Sequence, residues 1–313
     1  MSVNSCTAFL EQTQREPDLR RLLRATTDTC ELIALGRKHG YSFGVEDLIA
    51  ASSAFPAKPA EPPASAPPPG AQTGIAGTTI CHYEFDLHEL PELRPLLAEL
   101  PNLTIKPPTV DLDLFRASFR PEDLEWTSMS PAAPGFARRY QDVMAPHWTG
   151  QAGPGFGRRD FYLVNLDQHV DHPHYEQYFE AKTRTITHLE QTFGSEIQFS
   201  GSMWYPPFAY RLWHTNESQP GWRMYLIDFD EEIPPTDTRS FFRYMNPHTK
   251  EIVTLPDRPG MLRFFKVEQQ PDRLFWHCIV NGAERNRWSF GFAVPDDWMS
   301  RLPTTPDTKH NVP

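Results

Sequence analysis

Seven prolines fall between residues 53 and 79: Pro56, Pro59, Pro62, Pro63, Pro67, Pro68 and Pro69, set among Ala, Gly and Ser. Such a stretch cannot bury enough apolar surface to offset the entropy of ordering it. It predicts a semi-extended spacer over 53–79, stiff in the proline cluster and looser after Gly70. The chain of 313 residues is therefore expected to divide into a small module over 1–52 and a large domain over 80–313. Only the second is long enough to bury a sizeable core.

Composition excludes several classes. Thirty Lys+Arg against 40 Asp+Glu leave a formal net charge of −10, a poor match to a nucleic-acid backbone. No run approaches the ~18 apolar residues of a membrane span. The start, Met1 to Cys6, lacks the basic run and apolar segment of a secretory signal. Cys6, Cys30, Cys81 and Cys278 lie far apart with no CxxC pairing, which predicts reduced thiols and a cytoplasmic protein.

In the small module Phe9 and Leu10, Leu19, Leu22 and Leu23, then Leu32, Ile33 and Leu35 recur at three- and four-residue steps. That spacing predicts short helices packed as an all-α bundle, with a last helix opening at Glu46-Asp47-Leu48-Ile49. No cluster of His, Cys and carboxylate accompanies them, so the module is expected to bind rather than catalyse. The run Phe9–Ala51, with Pro17-Asp18-Leu19-Arg20, Arg37-Lys38-His39-Gly40-Tyr41-Ser42-Phe43 and Glu46-Asp47-Leu48, resembles the nitrogen-fixation-type ("Nif eleven") leader domain. In that family the domain forms the leader of a ribosomally made peptide precursor, which modifying enzymes recognise. Here it precedes a large domain instead, so the leader role does not transfer directly.

The large domain reads as mainly β. Residues 173–193 carry Tyr175, Tyr178, Phe179, Ile186, Leu189 and Phe193 at helical spacing, a helix expected to pack on a sheet. Beyond Gly194, short aromatic and β-branched runs at 196–205, 222–229, 239–245, 261–267, 274–280 and 286–294 alternate with turn residues, the pattern of a sandwich or barrel. The glycine-rich segment Gly150–Gly157 lacks both a strand-to-helix context and a following Lys-Ser/Thr, so it is not read as a phosphate loop.

The chemistry lies on these strands. His214-Thr215-Asn216 is followed by His277 and, ten residues later, by Arg287-Trp288-Ser289. Two histidines from separate strands, with an oxygen donor two residues after the first, approximate a facial metal triad with open positions. Strand alternation puts Arg287, Ser289 and Gly291 on one face and Trp288, Phe290 and Phe292 on the other, where the rings are expected to fill the core between sheets. A buried Arg needs an anion, and its planar fork suits a carboxylate.

These residues resemble the iron(II)- and 2-oxoglutarate-dependent oxygenases, in their prolyl-hydroxylase-like branch. The matching segments are Trp204-Tyr205-Pro206-Pro207 through Trp213-His214-Thr215-Asn216, Ser240-Phe241-Phe242-Arg243-Tyr244, and Trp276-His277-Cys278 through Arg287-Trp288-Ser289. The resemblance implies a double-stranded β-helix (jelly roll) over about 196–294 with flanking helices. It implies Fe(II) on His214, His277 and position 216, and 2-oxoglutarate on Arg287, assisted by Ser289, Tyr205 and Tyr225. It also implies O2 as oxidant and hydroxylation of an aliphatic C–H. With the leader-like module, the expected substrate is a peptide or protein in natural-product biosynthesis. A halogenase of the same fold and a non-catalytic leader- or peptide-binding protein with a degenerate site are the alternatives.

Asn216 departs from the family pattern, where an Asp is expected. It could coordinate as a neutral oxygen ligand, or Glu217 could swing in. The position could stand open for water or halide, or iron chemistry could have been lost. A literal HxD, His169-Val170-Asp171, precedes the helix rather than following a strand and is read as a polar helix entry with Asp171 near the N-cap.

Overall fold

A computed structural model describes residues 2–52, 81–148, 158–234 and 236–302. The proline-rich spacer and the glycine-rich segment Gly150–Gly157 lie outside the described residues. The chain forms two compact units, Met1–Cys81 and His82–Pro313.

The small unit is helical: α1 (Val3–Arg15), α2 (Pro17–Ala25), α3 (Thr29–Lys38) and α4 (Val45–Ser52). Local chemistry sets the starts, since Ser2 and Asp28 accept backbone N–H bonds as N-caps and Pro17 occupies the first turn of α2. The core gathers Cys6, Phe9, Leu19, Leu35 and Phe43, with Phe9 against the rings of Tyr41 and Phe43 at 5.4 and 5.5 Å. Gly36 on α3 lies directly under the Phe43 ring, where an added Cβ would overlap two ring carbons. Gly36→Ala should therefore destabilise this unit by about 1–3 kcal/mol despite the better helix propensity of alanine. Urea unfolding followed by far-UV circular dichroism checks this, and an unchanged or raised midpoint would refute the overlap.

The large unit is mainly β, with two antiparallel sheets. Its strands are β1 (His82–Asp86), β2 (Phe161–Tyr162), β3 (Val164–Asn165), β4 (Gln198–Tyr205), β5 (Tyr210–His214), β6 (Gly221–Phe229), β7 (Ser240–Met245), β8 (Ile252–Pro256), β9 (Met261–Val267), β10 (His277–Asn281) and β11 (Arg287–Val294). One sheet has the order β1-β9-β6-β11-β4-β3 and the other β2-β5-β10-β7-β8. Helices α5 (Leu100–Leu103), α6 (Leu112–Ala117), α7 (Pro121–Trp126), α8 (Phe136–Trp148) and α9 (Tyr175–Phe193) accompany them. Six of the strands follow the sequence runs closely, but β10 begins at His277, so Leu274–Trp276 precede it. Strands β1, β2, β3, β5 and β8 are additions that apolar patterning did not mark, and β8 is too exposed to show a continuous apolar run.

Helix α9 is fixed to the larger sheet by a charge pair with no solvent contact. Lys182 Nζ donates to Asp167 at 2.7 Å, Tyr178 donates to Asp167 at the same distance, and Lys182 lies 4.6 Å from the centre of the Phe199 ring. The cap of α9 is His174 with no side-chain bond, so Asp171 does not cap it as expected; the chain makes a turn through 172–174 before the helix begins.

The faces of β11 are the reverse of the sequence expectation. Arg287 and Ser289 look into the space between the sheets, whereas Trp288 turns outward, stacking near Trp204 and donating to the Ile105 carbonyl at 3.0 Å. The aromatic trio is covered by the segments packed outside the sheet, because this strand is buried on both faces. Apolarity alone does not say which buried face meets the other sheet.

Candidate functional site

Strands β5 and β10 pair in register with His214 opposite His277, and the two imidazoles lie 4.0 Å apart between ring centroids. Each ring is oriented by its own backbone. His214 Nδ1 bonds the Leu212 carbonyl and His277 Nδ1 the Phe275 carbonyl, both at 2.8 Å. A nitrogen facing a carbonyl must carry the proton, so both Nε2 atoms are lone-pair donors. Burial, then the Arg211 cation and His277, keeps the pKa of His214 well below the usual imidazole value. Burial lowers that of His277 to about 3 against the Phe275 carbonyl's opposing pull. The rings of Phe242 and Phe265, 5.4 and 5.2 Å away, wall in His277.

Both histidines line a cleft between the sheets together with Tyr205, Arg211, Tyr225, Arg263, Arg287 and Ser289. The sequence-predicted residues His214, His277, Arg287, Ser289, Tyr205 and Tyr225 thus share one cavity. Its free volume is about 30 Å³. Among the described residues, three buried polar atoms without a partner belong to residues of this one cleft: His214 Nε2, Arg287 Nη1 and Ser200 Oγ. Buried polar groups are ordinarily satisfied, so their concentration marks a place prepared for a polar ligand. A roomier surface groove of about 320 Å³, lined by Glu92, His188 and Arg301 among others, contains none of them.

Gly291 shapes the wall. A Cβ there would come within 2.6 Å of Ser200 Oγ and 2.8 Å of the Tyr225 ring, so only glycine leaves room for both side chains as they stand. Burial pushes the Tyr205 phenol up to about 12, leaving it a proton donor.

The anion that Arg287 requires is in the first instance the protein's own. Arg287 Nε donates to Asp257 Oδ2 and Arg263 Nη1 to Asp257 Oδ1, both at 2.8 Å, while Arg263 also bonds Glu84 at 2.7 Å. Arg263, Arg287 and Asp257 are each no more than 1% exposed. Two guanidiniums and two carboxylates balance, and Arg287 keeps Nη1 for a further acceptor. Sequence reasoning missed Asp257, Arg263 and Glu84, although one cation inside the apolar run Met261-Leu262-Arg263-Phe264-Phe265 was a usable signal.

Position 216 adopts a left-handed backbone, φ 57°, which asparagine tolerates. Arg211 Nη2 donates to Asn216 Oδ1 at 3.2 Å, and Asn216 Nδ2 stands 3.4 Å from His277 Nε2. Glu217 is exposed, so it does not reach into the cleft. The cleft can therefore offer a cation two imidazole nitrogens. Among the described residues no group of three His, Cys, Asp or Glu side chains could hold a metal, the His169–Asp171 segment included; His169 Nδ1 pairs with Thr109 instead. Among the described residues no helix is long and apolar enough to cross a membrane.

No curated protein matches the chain. Solved structures do match over parts of it. An oxidoreductase of the 2OG-Fe(II) oxygenase family from Burkholderia pseudomallei is 14% identical over 40% of this chain and 59% of its own, TM-score 0.28. A Pseudomonas putida prolyl-4-hydroxylase is 15% identical over 64% of this chain and 99% of its own, TM-score 0.29. A Trichoplax adhaerens prolyl hydroxylase, in complex with a hypoxia inducible factor peptide fragment, is 11% identical over 49% of this chain and 64% of its own, TM-score 0.27. The chain thus spans less than two thirds of the first and third of these relatives, and overlays this loose assign neither fold nor function. Residues 1–48 match the Nif11 domain family, and the chain carries a Nif11 domain at its N-terminus.

Proposed function

We propose that the large unit is a jelly-roll (double-stranded β-helix) oxygenase dependent on Fe(II) and 2-oxoglutarate, hydroxylating an aliphatic C–H of a peptide or protein. The observation that carries this reading is the in-register pair His214/His277, its Nε2 lone pairs facing a cleft that also holds the unpartnered Arg287 Nη1. The histidines fit a divalent cation as two neutral donors pre-oriented by backbone carbonyls. Iron bound there would supply dioxygen activation, the overall change being 2-oxoglutarate, O2 and R–H to succinate, CO2 and R–OH. Arg287 would hold the remote carboxylate through Nη1, Ser289 would add a hydroxyl, and Tyr205 and Tyr225 would donate from the wall. Burial of the cleft between two sheets would keep bulk water out.

A second reading, halogenation, is favoured by one observation: the Asn216 oxygen is engaged by Arg211, which leaves the third coordination place to water or halide. The Nif11 domain is proposed to engage a partner peptide or modifying protein. Incubation of the full chain with Fe(II), 2-oxoglutarate and O2 should yield succinate above the iron-free control. Absence of succinate together with absence of metal binding would leave the non-catalytic reading standing. A dependence of product on chloride would select the halogenase.

A further inference from the structure

The polar chain running from Arg211 to Phe275 can be assigned proton by proton. A guanidinium has only donors, so the atom of Asn216 that meets Arg211 Nη2 at 3.2 Å has to be the carbonyl oxygen. That turns the –NH2 end toward His277 Nε2 at 3.4 Å. His277 can accept there because its own proton sits on Nδ1, against Phe275 O. No link can be reversed alone: turning the amide would set –NH2 against guanidinium N–H.

Arg211 is free to play this part. Among the described residues no carboxylate makes an ion pair with it, and its guanidinium meets the Asn216 oxygen and the Phe161 ring, whose centre lies 5.2 Å from the guanidinium carbon. The two other arginines of the cleft are committed to Asp257.

We infer that Arg211 is a positioning residue which decides which end of the Asn216 amide faces the histidine pair, and that it turns the non-ligating end inward. An amide –NH2 has no lone pair to offer a cation, and in this orientation it also covers the His277 lone pair that a cation needs. His214 Nε2 stays open. The site is thereby held as a latched two-histidine site, in which metal entry has to displace the Asn216 N–H. The inference rests on the metal reading of the His pair given above. An aspartate at 216 would behave differently, since a carboxylate presents an oxygen at both ends: one to Arg211, the other to the histidines.

The test is a double-mutant cycle read as Co(II) affinity of the full chain by calorimetry. Arg211→Met should tighten Co(II) about tenfold in the Asn216 background, because it both removes a nearby cation and lets the amide turn. In the Asn216→Asp background only the charge effect remains, and the gain should fall to about threefold or less. Equal gains in the two backgrounds would reduce Arg211 to a charge and overturn the latch. The second readout needs no metal. In ¹H–¹⁵N spectra of the metal-free protein, the Asn216 side-chain amide should shift in Arg211→Met and again in His277→Ala. An amide signal unmoved by Arg211→Met also overturns the inference. Should His277→Ala bind Co(II) as tightly as the unmodified chain, the metal reading fails instead, and the amide spectra still decide the role of Arg211.

Discussion

Asp257→Ala is expected to cost about 3–5 kcal/mol of folding stability, the usual result of breaking a buried ion pair from one side. The carboxylate is fully buried and bridges Arg263 and Arg287, each at 2.8 Å. Arg263 retains Glu84 after the substitution, but Arg287 is left as a buried cation without a counter-charge. Asp257→Asn, which keeps the shape and loses the charge, should fall between Asp257→Ala and the unmodified chain. Burial by itself would raise this carboxyl's pKa, yet Arg287 and Arg263 together outweigh burial and hold it below the usual value. A depressed carboxyl contributes stability that is complete above its unfolded pKa, ~3.9. That contribution is lost as pH falls through the still lower folded value. The acid limb of a stability–pH curve should therefore be less steep in Asp257→Asn than in the unmodified chain. Urea midpoints between pH 2.5 and 7 measure both effects, and an Asp257→Ala midpoint equal to that of the unmodified chain would refute the bridge. Releasing the Arg287 fork also has a consequence for ligand binding. Added 2-oxoglutarate should raise the melting temperature of Asp257→Asn by more than it raises that of the unmodified chain.

His214→Ala and His277→Ala are each expected to weaken divalent-metal binding by about 100-fold or more, exceeding the 10–100-fold typical of losing only an outer partner of a ligand. With two protein donors in the site, either loss leaves a single imidazole, so the double variant should be scarcely worse than each single one. His277 also packs among Phe242, Phe265 and Phe275, so its truncation opens a cavity. His214→Gln is the cleaner probe, being less enclosed. Calorimetric titration with Co(II), beside metal-free melting curves, separates lost ligation from lost packing. Undiminished affinity in both variants would place any metal elsewhere.

Much of the site was legible because its parts have local signatures. His277, Arg287 and Ser289 are polar residues within apolar strand runs, His214 stands at a fixed spacing before them, and the four meet in one cleft. The helix Tyr175–Phe193 and the six strands β4, β6, β7, β9, β10 and β11 follow from periodicity, which the chain's own geometry enforces. The helices of the Nif11 domain follow from their caps and apolar steps. Partners distant in sequence were not legible. Asp257 lies 30 positions from Arg287, and Glu84 lies 179 from Arg263. The facing of Trp288, Phe290 and Phe292 was misjudged because alternation fixes which residues share a face, not which layer that face meets.

The sequence by itself determined a helical Nif11 domain, a β-rich large unit and the identity of two imidazoles and a guanidinium suited to a polar ligand. Tertiary structure alone decided how those groups are held. The β5–β10 register sets the imidazoles 4.0 Å apart, and Asp257 occupies the Arg287 fork. Arg211, meanwhile, turns the Asn216 amide. Each depends on which strands lie side by side, and strand pairing is settled by the burial of whole faces rather than by any local run of residues.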